Sequence, residues 1–271
     1  MQISLGVIWG LISLFSWGVA DYLARIYATK VGSLRTAFYI RVISLFPPLL
    51  IFPVQAYLGQ LYQSIDWTVV LKLGPILGIV FALAYVAYYR GLETGTVSIV
   101  VAVASAWFAV GVILAFILLD QVLSARQILI IGIIAIGIIM LSGLQTSTKD
   151  KSTGFLLGLT SMFLLGTATL LFKYLGEASG SIMTSFVGSL GSIIMLWVWL
   201  RISGLEVVLP KREGIQVLIA AGLLEAGGVL SMIIGLSQAP IFIVAPLSAA
   251  HPIVTMSLAL IFLKARLSRV Q

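Results

Sequence analysis

Cysteine is absent and histidine occurs once, at His251. The first absence excludes disulfides and thiolate chemistry, and the two together exclude a His/Cys metal centre. Charge is scarce too: 16 Lys and Arg with 9 Asp and Glu make up 9% of the 271 residues. A soluble domain is about a quarter charged, so this composition excludes an ordinary water-solvated fold. The phosphate-cradling pattern GxxxxGK[ST] does not occur, which argues against ATP hydrolysis within the chain. Gly91-Leu92-Glu93-Thr94-Gly95 reads as a short loop. No cofactor and no metal is expected. What fills the chain instead is apolar: 61% hydrophobic residues and a mean hydropathy of +1.16. The net charge of +7 does not imply a nucleic-acid partner, because the basic residues sit mostly between apolar spans, where Lys and Arg set topology.

Nine stretches approach or exceed the ~20 helical residues that cross a hydrocarbon core. They are 3–23, 37–58, 69–89, 97–119, 128–144, 155–175, 182–200, 215–236 and 241–263. They lack the alternation of barrel strands, so they are helices that satisfy their own backbone groups. The expectation is an all-α, multi-pass protein of the cell membrane. The first span is too long, and followed by too many others, to be a cleaved signal peptide. Thr146-Ser-Thr-Lys-Asp-Lys-Ser-Thr153 is the one clearly polar linker.

The chain also repeats itself. Residues 78–127 realign onto 222–271 at a shift of 144, and further upstream the shift is 148. At that second shift Gly6, Gly10, Ser13, Phe15 and Gly18 fall on Gly154, Gly158, Ser161, Phe163 and Gly166. The repeats run over 1–145 and 154–271. The first holds five spans and the second four. Gln127 leads straight into the span 128–144, whereas its partner Gln271 is the last residue, so a tenth helix, missing from this chain, is expected to follow. Five helices per half is an odd number, so the halves insert with opposite orientation. That is the inverted-topology repeat of secondary transporters, which place their site between the halves. Thirteen Lys and Arg residues border the odd-numbered connections, Arg41 among them, against Lys72, Arg126 and Lys173 at even ones. The positive-inside rule then places the odd connections in the cytoplasm.

Each half ends its fourth helix in a similar motif, Leu119-Asp120-Gln121-Val122-Leu123-Ser124 and Leu263-Lys264-Ala265-Arg266-Leu267-Ser268. Trp17-Gly18 in the first helix and Ala245-Pro246-Leu-Ser-Ala-Ala-His-Pro252 in the ninth complete a pattern. It resembles the drug/metabolite transporter superfamily in its EamA-like branch. The likeness implies a five-plus-five bundle that moves amino acids, other metabolites, sugars, nucleotide sugars or drugs, often outward, without a common cofactor. The chain departs from that pattern at Asp120 and Lys264, where the family has Glu. It departs again at Ala102 and Phe108, which stand where the ninth helix has its prolines.

Ionisable groups at bilayer depth cost about 2.5–3.5 kcal/mol each on insertion scales, so they are functional candidates. Two sit near mid-span, Glu225 and His251. Through the repeat they correspond to Phe81 and Trp107. The functional reading makes them one polar centre: Glu225 holds a substrate amine or a proton, and His251 pairs with it or switches charge. The structural reading makes each a satisfied packing residue. The surrounding Ala221-Gly222-Leu-Leu-Glu-Ala-Gly-Gly228 admits a closely packed helix or weakens its own. Pro246 and Pro252 are read as helix-kinking residues. Trp17, Tyr85, Trp107 and Phe81 offer aromatic surface for stacking or cation–π contact, whereas Tyr88, Tyr89 and Arg90 mark the interface. Arg41 and Lys173 are read as snorkelling cations, and Asp21 as the local helix partner of Arg25.

These readings favour a secondary transporter of a small polar or amphipathic metabolite, with protons as a candidate coupling ion and export as the direction. A flippase for a lipid-like or lipid-linked substrate is the alternative. A membrane-embedded enzyme is a remote one, since a single mid-span carboxylate and a single imidazole leave no paired site. Membrane lipid and the substrate are the partners expected; the oligomeric state is left open. On this reading Glu225→Gln silences transport, or removes its pH dependence, with the fold intact.

Overall fold

A computed structural model describes residues 2–58, 65–94, 100, 103–119, 124–125, 128–129, 132–133, 136, 151–207 and 212–263. Every regular element among the described residues is a helix: α1 (Gln2–Val31), α2 (Ser33–Ser44), α3 (Phe46–Tyr57), α4 (Trp67–Thr94), α5 (Trp107–Leu118), α6 (Lys151–Ile202), α7 (Arg212–Gln238), α8 (Ile241–Ala249) and α9 (His251–Leu263). Six helical stretches among them are long and apolar enough to cross a membrane, with Val103–Leu118 a shorter apolar helix. The anticipated span 128–144 lies largely outside the described residues, and Asp120, Lys264 and Gln271 lie wholly outside them.

Local chemistry explains where these helices start and break. Asp66 Oδ1 accepts from the backbone N–H groups of Thr68 and Val69, capping α4. The expected second span is divided at Leu45, because Pro47 and Pro48 cannot donate to the carbonyls of Ile43 and Ser44. The ninth span is divided at Ala250, between Pro246 and Pro252. The same break recurs at Ala106, 144 residues earlier, with φ −78° and ψ 10° against φ −77° and ψ 3°. Ala102 and Phe108 flank it there, so the break belongs to the fold and does not require proline.

The repeat is written into the contacts. The chain turns from α1 into α2 at Gly32 (φ 90°) and within α6 at Gly180 (φ 76°), positions 148 apart. Backbone in that region strains any L side chain, so both corners take glycine. Gly18 of α1 packs on Val254 and the His251 carbonyl; Gly166 of α6 packs on Val110 and the Trp107 carbonyl. Gly10 meets Leu247 and Val244, as Gly158 meets Val103 and Val100. Gly222 meets Ile43, as Gly78 meets Gly191. Offsets of 148 and 144 carry each pair onto its mate, with the halves exchanged. Reciprocal contacts of this kind are what a twofold operator produces. Two repeats related in this way fit an inverted-repeat bundle. Its outer surface repeats as well: Phe15 and its counterpart Phe163 are 59% and 56% exposed, apolar faces suited to acyl chains and costly in water.

A side chain at Gly78 would place its Cβ 2.5 Å from the Gly191 Cα, a backbone atom that cannot rotate away. Gly78→Ala should therefore destabilise the protein by about 1–3 kcal/mol, as overpacking does. Gly227, where an added Cβ would meet only the Ser16 Oγ at an ordinary 3.8 Å, should accept alanine without loss. Thermal unfolding in detergent compares them, and equal melting points would refute the close crossing.

Candidate functional site

The two halves enclose a cavity of about 760 Å3, counting its open mouth. The first half contributes Trp17 and Asp21 from α1, Phe81, Tyr85, Tyr88 and Tyr89 from α4, and Ser105 and Trp107 at the start of α5. The second contributes Ser161, Thr169 and Phe172 from α6, Glu225 and Met232 from α7, and His251 from α9. Trp17, Phe81, Tyr85, Trp107, Glu225 and His251, the six residues singled out from the sequence, thus share one wall-lined space. Pro246 and Pro252 are buried to either side of the Ala250 break and do not line it. Tyr88 and Tyr89, expected at the membrane interface, do.

The polar centre is wired differently from the expectation. Glu225 and His251 do not pair with each other. Arg41 Nη2 donates to Glu225 Oε1 at 2.6 Å, and the Tyr85 hydroxyl donates to the same oxygen at 3.1 Å. Both charged side chains are almost completely buried, 2% and 7% exposed. The guanidinium lies over the Phe81 and Tyr85 rings, 4.3 and 4.5 Å from their centroids. A flat, weakly hydrated cation suits contact with two rings better than an ammonium would. Arg41 is therefore an interior residue and not a snorkelling one, and it leaves the positive-inside count. An Arg inside an apolar stretch is the same signal that singled out Glu225, and two interior charges of opposite sign predict each other.

His251 Nδ1 lies 2.9 Å from Asp21 Oδ2. The contact is a close polar approach and not an aligned hydrogen bond, for Nδ1 has no aligned partner among the described residues. Asp21 thus reaches across to α9, where the sequence pointed to Arg25. Its side chain is 48% exposed and that of His251 19%. Both contacts, the Arg41–Glu225 ion pair and the Asp21–His251 approach, join one half to the other. Trp17 stands between Trp107 and His251, edge-on to each, at 6.3 and 5.9 Å. Phe81 meets Tyr85 and Phe172 edge-on at 5.2 Å. Ser161 Oγ and Trp17 Nε1 are buried without a hydrogen-bond partner among the described residues. Lys173, also expected to snorkel, donates to Glu177 at 2.7 Å and to the Leu236 carbonyl at 2.8 Å, closing the end of α7.

The charges break the pseudo-twofold. Counterparts of Asp21 and Arg41 are Thr169 and Ser189, and counterparts of Glu225 and His251 are Phe81 and Trp107. Each cross-half ion contact therefore has an uncharged image.

Residues 4–143 and 152–271 each match the EamA-like transporter family. The chain belongs to that family, within the drug/metabolite transporter superfamily, and is a multi-pass membrane protein. No curated protein matches it. A protein known from a crystal structure superposes with a TM-score of 0.80 at 14% identity, over 98% of this chain and 91% of its own. At that identity the likeness shows the fold alone.

Removing one partner of a buried ion pair leaves the other uncompensated, at about 3–5 kcal/mol. Arg41→Met should accordingly lower the melting temperature sharply, and Glu225→Gln should too, against the expectation of an intact fold. The double variant Arg41→Met/Glu225→Met should recover most of the loss, since apolar replacement of a whole pair is near neutral. A double variant as unstable as the sum of the singles would contradict the pairing.

Proposed function

We propose that this EamA-like transporter is a secondary transporter of the cell membrane that exports a small amphipathic metabolite by alternating access through the inter-repeat cavity. The observation that carries the reading is a cavity walled by both repeats, in a bundle whose halves make the reciprocal contacts Gly18–Val254 and Gly166–Val110. Two halves related by a twofold offer two equivalent closures, one towards each membrane face. The rings of Trp17, Trp107 and Tyr85 accept an apolar body, while Ser105, Ser161 and Thr169 offer hydroxyls to a polar end. That mixture favours a small metabolite over a bare acyl chain. Protons are the candidate coupling ion, because His251 and Asp21 approach each other on the cavity wall.

Counter-flow of a labelled panel of amines, amino acids and neutral metabolites in proteoliposomes tests the reading. For any solute carried, Trp107→Ala should weaken apparent affinity roughly two- to thirtyfold, the worth of about 0.5–2 kcal/mol of ring contact. Trp197→Ala should leave it unchanged, because Trp197 is exposed on the outside beside Arg201. Wild-type kinetics in Trp107→Ala would remove the cavity from the pathway.

A further inference from the structure

Three titratable groups with a charge at stake reach the cavity wall: Asp21, Glu225 and His251. Glu225 is already matched by Arg41, which lies behind the Phe81 and Tyr85 rings and outside the lining. No Lys or Arg lines the cavity among the described residues. Among the described residues of this wall, and with His251 neutral, Asp21 is the carboxylate that no ion pair holds; Arg41 shares only a smaller adjoining cavity with it. That carboxylate is also the more open of the two, 48% exposed against 7% for Glu225. Its neighbour His251 is close but unaligned, so it holds the carboxylate weakly and can be replaced.

The rest of the wall points the same way. Trp17, Tyr89 and Trp107 line the same space with aromatic rings, a class of surface that attracts a desolvated cation, while the Tyr85 ring already lies under Arg41. An anion in the same space would meet two carboxylates and those rings, with no fixed cation facing it. A half-exposed carboxylate is open to an incoming cation, and the rings around it lower the local dielectric in which the two would meet.

Resting on the transport reading above, we infer that Asp21 is a substrate-binding residue and that the substrate is a protonated amine on an apolar or aromatic body. The ammonium donates to Asp21 Oδ2 in place of the His251 contact, and the body lies among the rings.

Tryptamine, tryptophol and indole-3-acetate share one ring and differ in a terminal ammonium, hydroxyl or carboxylate. Calorimetric titration of each into the protein in lipid nanodiscs, at one pH and one salt concentration, reads the preference directly. Tryptamine should bind about tenfold or more tightly than tryptophol, as a hydrogen bond to a charged group gives, and indole-3-acetate should bind most weakly. Asp21→Asn should bring tryptamine to the level of tryptophol while leaving tryptophol unchanged, and Asp21→Glu should keep the preference. Equal affinities, preference for the anion, or no tryptamine binding at millimolar concentration would each overturn the inference. So would an Asp21→Asn variant that binds tryptamine as before, or one that loses all three ligands and so marks the carboxylate as structural. Trp107-dependent transport of anions or neutral solutes but not amines would defeat the inference and spare the transport reading. Asp21-dependent tryptamine binding with no solute transported would do the reverse.

Discussion

Hydrocarbon offers no partner to a charged group, so every charge inside this bundle must find its own. Arg41 and Glu225 do so across the boundary between the repeats, and much else follows from their meeting. The pair holds α2 against α7 where Gly222 lets Ile43 approach closely. It brings Tyr85 onto the same carboxylate oxygen and fixes the Phe81 and Tyr85 rings under the guanidinium. Those rings then become cavity wall. A buried ion pair is a weak source of net stability, since desolvation consumes most of the Coulombic gain. Its contribution is to specify which helix faces meet.

That specification works against a background of symmetry. Glycines at Gly10, Gly18 and Gly222 and their images Gly158, Gly166 and Gly78 let the helices pack reciprocally. Small residues permit close approach in either half, so packing by itself gives the two closures similar standing. The ion contacts do not. Arg41–Glu225 and Asp21–His251 each map onto an uncharged pair, Ser189 with Phe81 and Thr169 with Trp107. Parting the halves at these positions breaks polar contacts, the buried Arg41–Glu225 ion pair above all, that parting them at the image positions does not. An inverted repeat can thus keep symmetric scaffolding while its polar contacts across the halves are asymmetric.

Much of this was legible in the sequence because it rests on one-dimensional signals. The spans follow from apolar run length, the repeat from constant offsets, and the depth of Glu225 and His251 from their place within spans. The pairing was not legible. Asp21 has Arg25 one helical turn away, and the local rule of helix pairs points there, whereas its contact is His251, 230 residues on. Arg41 reads as a topology marker until Glu225, 184 residues away, is set beside it. Such partners are fixed by the crossing of helices, which no local spacing encodes. Gly32 and Gly180 stand 148 apart, the offset that relates the halves, but only their backbone angles show why both are glycine.

The helix breaks at Ala106 and Ala250 show what sequence pattern and fold each contribute. Prolines at 246 and 252 make the second break readable from sequence. The first has none, yet its backbone angles are nearly the same. The residues that follow, Trp107 and His251, are the images of each other that face the cavity from opposite halves. Gly18 and Gly166 pack against the carbonyls of those two residues, so close helix crossings flank both breaks. A break held by packing on both sides can carry different side chains in each half without losing its place. One half can then present an indole and the other an imidazole at the same depth, which gives a symmetric bundle an asymmetric site.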